Sequence, residues 1–162
     1  MPCMDAGVRL SLARLIRRSR IGALGTLRRG APNVSMVACL PSADFATFWL
    51  RLRRLAWHTQ DLAVDARVSL SLCEADDGRT DPQTLARVTL RGDATEIRAD
   101  DAAGESLRRG WLERFPASAV TFELADFSFW RVVPRDARFV AGLGRTYNLS
   151  AAELARSAQE GA

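Results

Sequence analysis

The chain opens with apolar positions at helical spacing. Val8, Leu12, Leu15 and Ile16 fall on one face and Arg9, Arg14, Arg17 and Arg18 mostly on others. That pattern predicts an amphipathic helix over about 7–19, with Asp5 as its cap. The period then changes. IGALGTL (21–27) and NVSMVACL (33–40) flank RRGAP and read as two strands joined by a short turn. FATFWLRL (45–52) is apolar on both faces, as in a buried barrel strand. A helix over about 54–64 follows. In RVSLSLC (67–73), Val68, Leu70 and Leu72 point one way and Ser69, Ser71 and Cys73 the other.

After the polar loop EADDGRTDPQT, the stretch ARVTLRGDATEI (86–97) reads as a long strand. Gly92 in its middle marks a bulge or a close backbone approach. Asp100 or Asp101 then caps a helix reaching about Phe115, with Leu107, Trp111 and Phe115 as its stripe and Pro116 as its stop. VTFEL (120–124) and DFSFWRVVP (126–134) supply one or two more strands and ARFVAG (137–142) another. Ser150 with Glu153 matches a capping box before a terminal helix over about 151–159. The strands arrive as hairpins and not in regular alternation with helices. This predicts an α+β fold built on an antiparallel barrel, in one domain over residues 1–162.

Composition narrows the classes. With 162 residues, 48% of them apolar, the chain is long enough for a real core and too apolar for disorder. No apolar run reaches the ~18 residues of a membrane span, and the start lacks a signal-peptide core. The Arg-rich start loosely resembles a mitochondrial presequence, but it runs on into structure without a break. The expected location is therefore the cytoplasm, away from membranes. All 23 basic residues are arginine, and the net charge is +4. Spread along the chain, they favour anionic ligands without demanding nucleic acid. One tyrosine and scattered arginines make no base-stacking platform, so no nucleic-acid partner is expected. Three widely spaced cysteines and one histidine cannot build a common zinc site, so no metal is expected. Cys39 and Cys73 lie in strand-like runs and are expected to be buried, reduced thiols.

The densest chemistry is in RLRRLAWHTQDL (51–62), where an apolar strand hands over to a helix. Arg53, Arg54 and Thr59 offer guanidinium forks and a hydroxyl. A helix starting near residue 54 adds free N–H groups, and together these suit a phosphate. The plainer alternative is a basic, solvated helix start. Arginine there opposes the helix dipole by ~0.3–1 kcal/mol, which itself points to an anionic partner. His58 has three open roles: donating to a phosphate, ligating a haem iron, or satisfying a core carbonyl. No Gly-x-Ser-x-Gly is present, and GLGR (142–145) lacks the third glycine of a dinucleotide loop and reads as a turn. At least two of Trp49, Trp57, Trp111 and Trp130 are expected to fill the core.

Taken in order, PNVSMV, RRLAWHTQDLAVDARVSL, RVTLRGDAT, ERFPASA, DFSFWRV and RFVAGLGRTYNL resemble the pyridoxamine 5′-phosphate oxidase-like split-barrel flavoproteins. The nearest likeness is to the branch that includes haem-utilisation proteins, and it covers roughly residues 8–150. The resemblance implies a six-stranded antiparallel split β-barrel with peripheral helices. It also implies a homodimer, with FMN at the subunit interface. By the same resemblance the flavin is held by backbone groups of Ser35, Met36 and Val37, and its phosphate by Arg53, Arg54, His58 and Thr59. The oxidases proper carry an arginine and a lysine where this chain has Ser35 and Leu40. The implied activity is an FMN-dependent oxidoreductase acting on an unnamed small molecule, with no catalytic side chain assigned. Arg145 or Trp130 would border the substrate. The alternatives are a haem-binding or haem-degrading split barrel with His58 on the iron, and a non-catalytic flavin-binding module.

Overall fold

In the computed structural model, which describes residues 4–97 and 104–160, six strands close a barrel and a seventh lies outside it. Helix α1 (Ala6–Arg18) leads into β1 (Ile21–Arg28), β2 (Ala31–Pro41) and β3 (Phe48–Arg53). Helix α2 (Trp57–Val64) precedes β4 (Arg67–Cys73) and β5 (Arg87–Glu96). Helix α3 (Gly104–Arg114), β6 (Phe127–Val140), β7 (Thr146–Ser150) and α4 (Ala151–Ser157) complete the chain. The sheet order is β3-β2-β1-β4-β5-β6-β7, all antiparallel, and β3 pairs with β6 to close the ring. The architecture is the expected α+β split barrel.

Alternation builds the interior. Phe48, Leu50 and Leu52 of β3 point inward, as do Leu70 and Leu72 of β4, Val88 and Leu90 of β5, and Trp130 and Val132 of β6. Leu12 and Ile16 of α1 join the same core. As predicted, Asp5 caps α1, its carboxylate accepting from the Val8 amide at 2.8 Å, and Ser150 and Glu153 form a capping box on α4. Among the described residues no helix is long and apolar enough to cross a membrane.

Several expectations need correction. The runs 126–134 and 137–142 are one continuous strand, β6, which a bulge carries past Pro134. Its first half pairs with β3 and its second with β7, a strand the sequence reading did not separate from the turn before it. VTFEL is not a strand but belongs to a 3₁₀ segment, Pro116–Glu123. The third strand is not apolar on both faces, since Trp49 and Arg51 turn outward and stay half-buried. The Asp100 or Asp101 cap lies outside the described residues, as does Cys3.

Cys39 is buried as expected, but Cys73 is exposed at the end of β4. Burial pushes the Cys39 thiol from 9.0 up to about 11, against the opposing pull of Arg114. An unfolded thiol ionises from its lower value, whereas the folded one holds its proton. The stability this gives is therefore complete below the unfolded value and falls as pH rises through the folded one, by at most about 1.4 kcal/mol per pH unit. Cys39→Ala is expected to flatten that fall, as read from urea midpoints at about pH 8.5 and about pH 10.5. A native profile no steeper than the variant's would contradict it.

Candidate functional site

Strands β2 and β3 pair only at Cys39↔Leu50, Leu40↔Trp49 and Pro41↔Phe48, then diverge. Each step back along β2 is matched by a step forward along β3. Continuing that register would bring Met36 opposite Arg53 and Ser35 opposite Arg54. The two predicted groups of residues therefore stand on opposite lips of one split. Successive residues of an antiparallel strand turn their backbone groups to opposite neighbours. Cys39 donates its amide to the Arg20 carbonyl at 3.0 Å, on the β1 side. By that alternation Ser35 and Val37 also bond toward β1, and Met36 turns its N–H and C=O toward the split. The Val37 side chain is buried, Ser35 is half-buried, and Met36 is 70% exposed.

Helix α2 packs against β1 and β2, and its Leu62 enters the core. It starts at Trp57, not near residue 54, so Arg53 and Arg54 precede its first turn and the dipole argument does not apply to them. Its cap position is Ala56, which has no side-chain cap. Among the described residues the amides of Trp57 and His58 have no acceptor, whereas those of Thr59 and Gln60 both donate to the Ala56 carbonyl at 3.1 Å. An uncapped helix start thus faces outward beside His58.

The three arginines part company. Arg51 stacks 3.8 Å above the Phe122 ring and 4.8 Å from Phe127, and donates to the Thr121 hydroxyl and, at 2.7 Å, to its carbonyl. It is a packing residue that ties β3 to the 3₁₀ segment. Arg53 Nε donates to Asp126 at 2.5 Å, and an Arg54 terminal nitrogen lies 3.7 Å from Glu96. Both side chains are 62% exposed and keep unused N–H groups. Buried Thr59 donates its hydroxyl to the Arg53 carbonyl at 2.7 Å, which fixes the turn between strand and helix. His58 is half-buried, and its ring makes no hydrogen bond among the described residues. Its burial lowers its pKa, with Asp61 pulling the other way, so the imidazole is neutral near pH 7.

One cluster escaped the sequence reading. Asp61 of α2 is buried and accepts from Thr26 Oγ1 at 2.9 Å, Arg28 Nη1 at 2.9 Å and Asn33 Nδ2 at 3.2 Å. The Arg28 guanidinium also lies 4.2 Å from the centre of the exposed Trp57 ring. Asp61 therefore locks α2 onto β1 and β2 beside the split. Its partners lie 28 to 35 residues away in sequence, beyond the reach of any local pattern.

Other grooves lie elsewhere. A 740 Å³ groove runs over the outer face of β5, β6 and β7, past Arg91, Arg138 and Asn148. A 640 Å³ groove separates α1 from the loop after β4. Neither is lined by the seven predicted residues. Trp130 is buried in the core, so it cannot border a substrate, which corrects that expectation. Trp111 is buried too. Arg145 sits in the β6–β7 turn, donating to the Ala141 carbonyl at 3.0 Å.

The family model described as pyridoxamine 5′-phosphate oxidase matches residues 11–141, which span the barrel from α1 through β6. The chain belongs to the pyridoxamine 5′-phosphate oxidase family. It is 33% identical over 118 residues to HOZ, a chloroplastic heme oxygenase of Arabidopsis thaliana, across 73% of this chain. It spans only 34% of that protein's length. A heme binding protein from Mycobacterium smegmatis superposes with a TM-score of 0.80 at 25% identity, covering 96% of this chain and 62% of the other. An FAD-binding protein from Mesorhizobium loti superposes at 0.64 with 17% identity, over 83% and 90% of the two chains. That last likeness is one of fold alone.

Proposed function

We propose that this pyridoxamine 5′-phosphate oxidase family member binds FMN in the split between β2 and β3 and works as an FMN-dependent oxidoreductase. One observation carries the reading: the open backbone edge at Met36 faces a junction with two exposed guanidiniums and an uncapped helix start. The edge groups of Met36 suit the hydrogen-bonding rim of a flavin ring. The spare N–H groups of Arg53 and Arg54 and the free amides of Trp57 and His58 suit its phosphate. Thr59 acts by holding the turn that presents them. Bound FMN supplies the redox chemistry, and these residues bind and orient it.

The reading includes a homodimer with the cofactor at the interface. Val34 and Met36 are each 70% exposed on the outer face of β2. A second barrel laid on this face would cover these apolar side chains and complete the far wall of the split.

Replacing both Arg53 and Arg54 with alanine is expected to weaken FMN at least tenfold, at about 1.5–3 kcal/mol per charge-assisted bond lost, and riboflavin little. Titration of both ligands, followed by flavin absorbance near ~450 nm, checks this. Equal weakening of both would overturn the phosphate role.

One observation favours a second reading, in which the cleft takes haem. His58 is half-buried and neutral near pH 7, and its ring nitrogens have no hydrogen-bond partner among the described residues, so one is available to an iron. The names of the Arabidopsis and Mycobacterium relatives support it. A Soret band near ~400 nm on adding haem, lost in His58→Ala, would decide for it.

A further inference from the structure

The 640 Å³ groove between α1 and the loop after β4 is far too large to be a packing fault, and it lies in the ~300–1,000 Å³ range of small-molecule sites. Its floor is apolar: Leu10 and Leu15 of α1, Ile21 of β1 and Ala86 before β5. One side of its rim is cationic, formed by Arg14, Arg18 and Arg20. Arg14 and Arg18 are one helical turn apart, a like-charge spacing that destabilises a helix by ~0.2–0.5 kcal/mol.

Among the described residues none of these three has a carboxylate partner. Arg20 reaches only the Arg114 carbonyl, at 3.4 Å, and the face of Phe115. The acids on the opposite wall are already engaged. Asp77 and Glu74 pair with Arg79 at 2.8 Å and 3.5 Å, and Glu74 also accepts the Ala86 amide at 3.1 Å. The groove therefore joins an apolar floor to a net positive rim, four arginines against two carboxylates, with Arg14, Arg18 and Arg20 outside any ion pair among the described residues.

We propose that this groove is a second ligand site, distinct from the β2–β3 split, for a small amphipathic organic anion. The ligand is an aromatic or alkyl carboxylate or sulfonate whose body lies on Leu10, Leu15 and Ile21 and whose charge meets Arg14 and Arg18. Walls on both sides suit a free small molecule and not a flat membrane surface. The proposal stands whether the split holds FMN, haem or neither.

Cys73 lines the same groove with its thiol exposed, which provides the readout. In Cys3→Ser protein, Cys73 is the only accessible thiol among the described residues, since Cys39 is fully buried. Attack of the Cys73 thiolate on 5,5′-dithiobis(2-nitrobenzoate) forms a mixed disulfide and releases one thionitrobenzoate anion. This dianionic aromatic reagent is compared with the neutral 4,4′-dithiodipyridine, each rate normalised to N-acetylcysteine. The anionic reagent is expected to react with saturation kinetics and about tenfold faster than the neutral one at low salt, with the advantage fading as salt rises. Unreactive 1-naphthoate is expected to protect Cys73 competitively. Arg14→Gln with Arg18→Gln is expected to remove both the saturation and the advantage, leaving the neutral reagent's rate unchanged. Linear kinetics, equal normalised rates, no protection by 1-naphthoate, or an equal change for both reagents in the arginine variant would each overturn the proposal.

Discussion

Asp61→Ala is expected to cost about 3–5 kcal/mol of folding stability, much of what a domain of this size has to lose. The carboxylate is buried and receives three hydrogen bonds, one each from Thr26, Arg28 and Asn33. Alanine would leave the Thr26 hydroxyl and the Asn33 amide short of an acceptor. Asn33 Nδ2 lies 3.2 Å from Thr26 Oγ1, so those two can satisfy each other only in part. Arg28 would lose its counter-ion but keep its contact with Trp57. Removing the other partner, by Arg28→Met, is expected to cost less, about 1–2 kcal/mol, because Asp61 keeps two donors. The double variant should cost less than the sum of the singles, since the pair is one interaction. Urea denaturation of the three variants measures this. A loss below about 1 kcal/mol for Asp61→Ala would mean that α2 is held by Leu62 and Thr59 packing and not by this network.

The Asp61 result also bears on the site. Helix α2 presents its open amides at Trp57 and His58 only while the Thr59 hydroxyl holds its first turn and the Asp61 carboxylate holds its middle. If the cleft holds a phosphate, loosening α2 should weaken FMN together with stability. The Arg53 and Arg54 change should weaken FMN while leaving stability nearly intact, because those side chains are exposed and surface ion pairs contribute little. The two kinds of variant therefore separate a phosphate contact from its support.

How far the sequence revealed this arrangement depended on the range of each interaction. Barrel strands with clean alternation, such as β4, and helices with a stripe and a cap, such as α1 and α4, were legible because their determinants lie within a few residues. β6 was misread as two strands because Pro134 usually ends one. Here Pro134 sits at the bulge, where the ladder does not need its missing N–H. β7 offered only Tyr147 and Leu149 as buried positions, too few for a pattern. VTFEL looked like a strand, but Pro116 starts a run of tight turns in which the Ser118 and Thr121 hydroxyls bond back to the Phe115 and Ser118 carbonyls. At the site, the strand–helix junction was legible and its internal pairing was not. That Arg51 packs on Phe122 and Phe127, Arg53 pairs with Asp126 and Arg54 with Glu96 depends on residues 42 to 76 positions away.

Gly92→Ala is expected to be as damaging as the loss of Asp61, about 3–4 kcal/mol, for a steric reason that the sequence did signal. A Cβ at this position would stand 2.1 Å from the Val133 carbonyl oxygen, 2.8 Å from its carbon and 3.0 Å from the Pro134 Cα. All three are backbone atoms of β6, so no rotamer change relieves the contact. The register shifts between Arg91 and Gly92, where Arg91 faces Asp136 and Gly92 faces Pro134, leaving Arg135 as the extra residue. That bulge turns β6 from its partner β3 to its partner β7. Forcing β5 and β6 apart there would strain the closing pair β3–β6 and with it the lip that carries Arg53. Gly30→Ala makes the matched control. Gly30 lies at φ +82° with nothing within 4 Å of the added carbon, so the change costs only the left-handed backbone penalty, about 1–2 kcal/mol. Urea midpoints should rank wild type, Gly30→Ala and Gly92→Ala in that order. A Gly92→Ala protein as stable as Gly30→Ala would show that β6 can slide to admit the methyl group, and the bulge would then be a tolerance of the barrel and not the joint on which its closure depends.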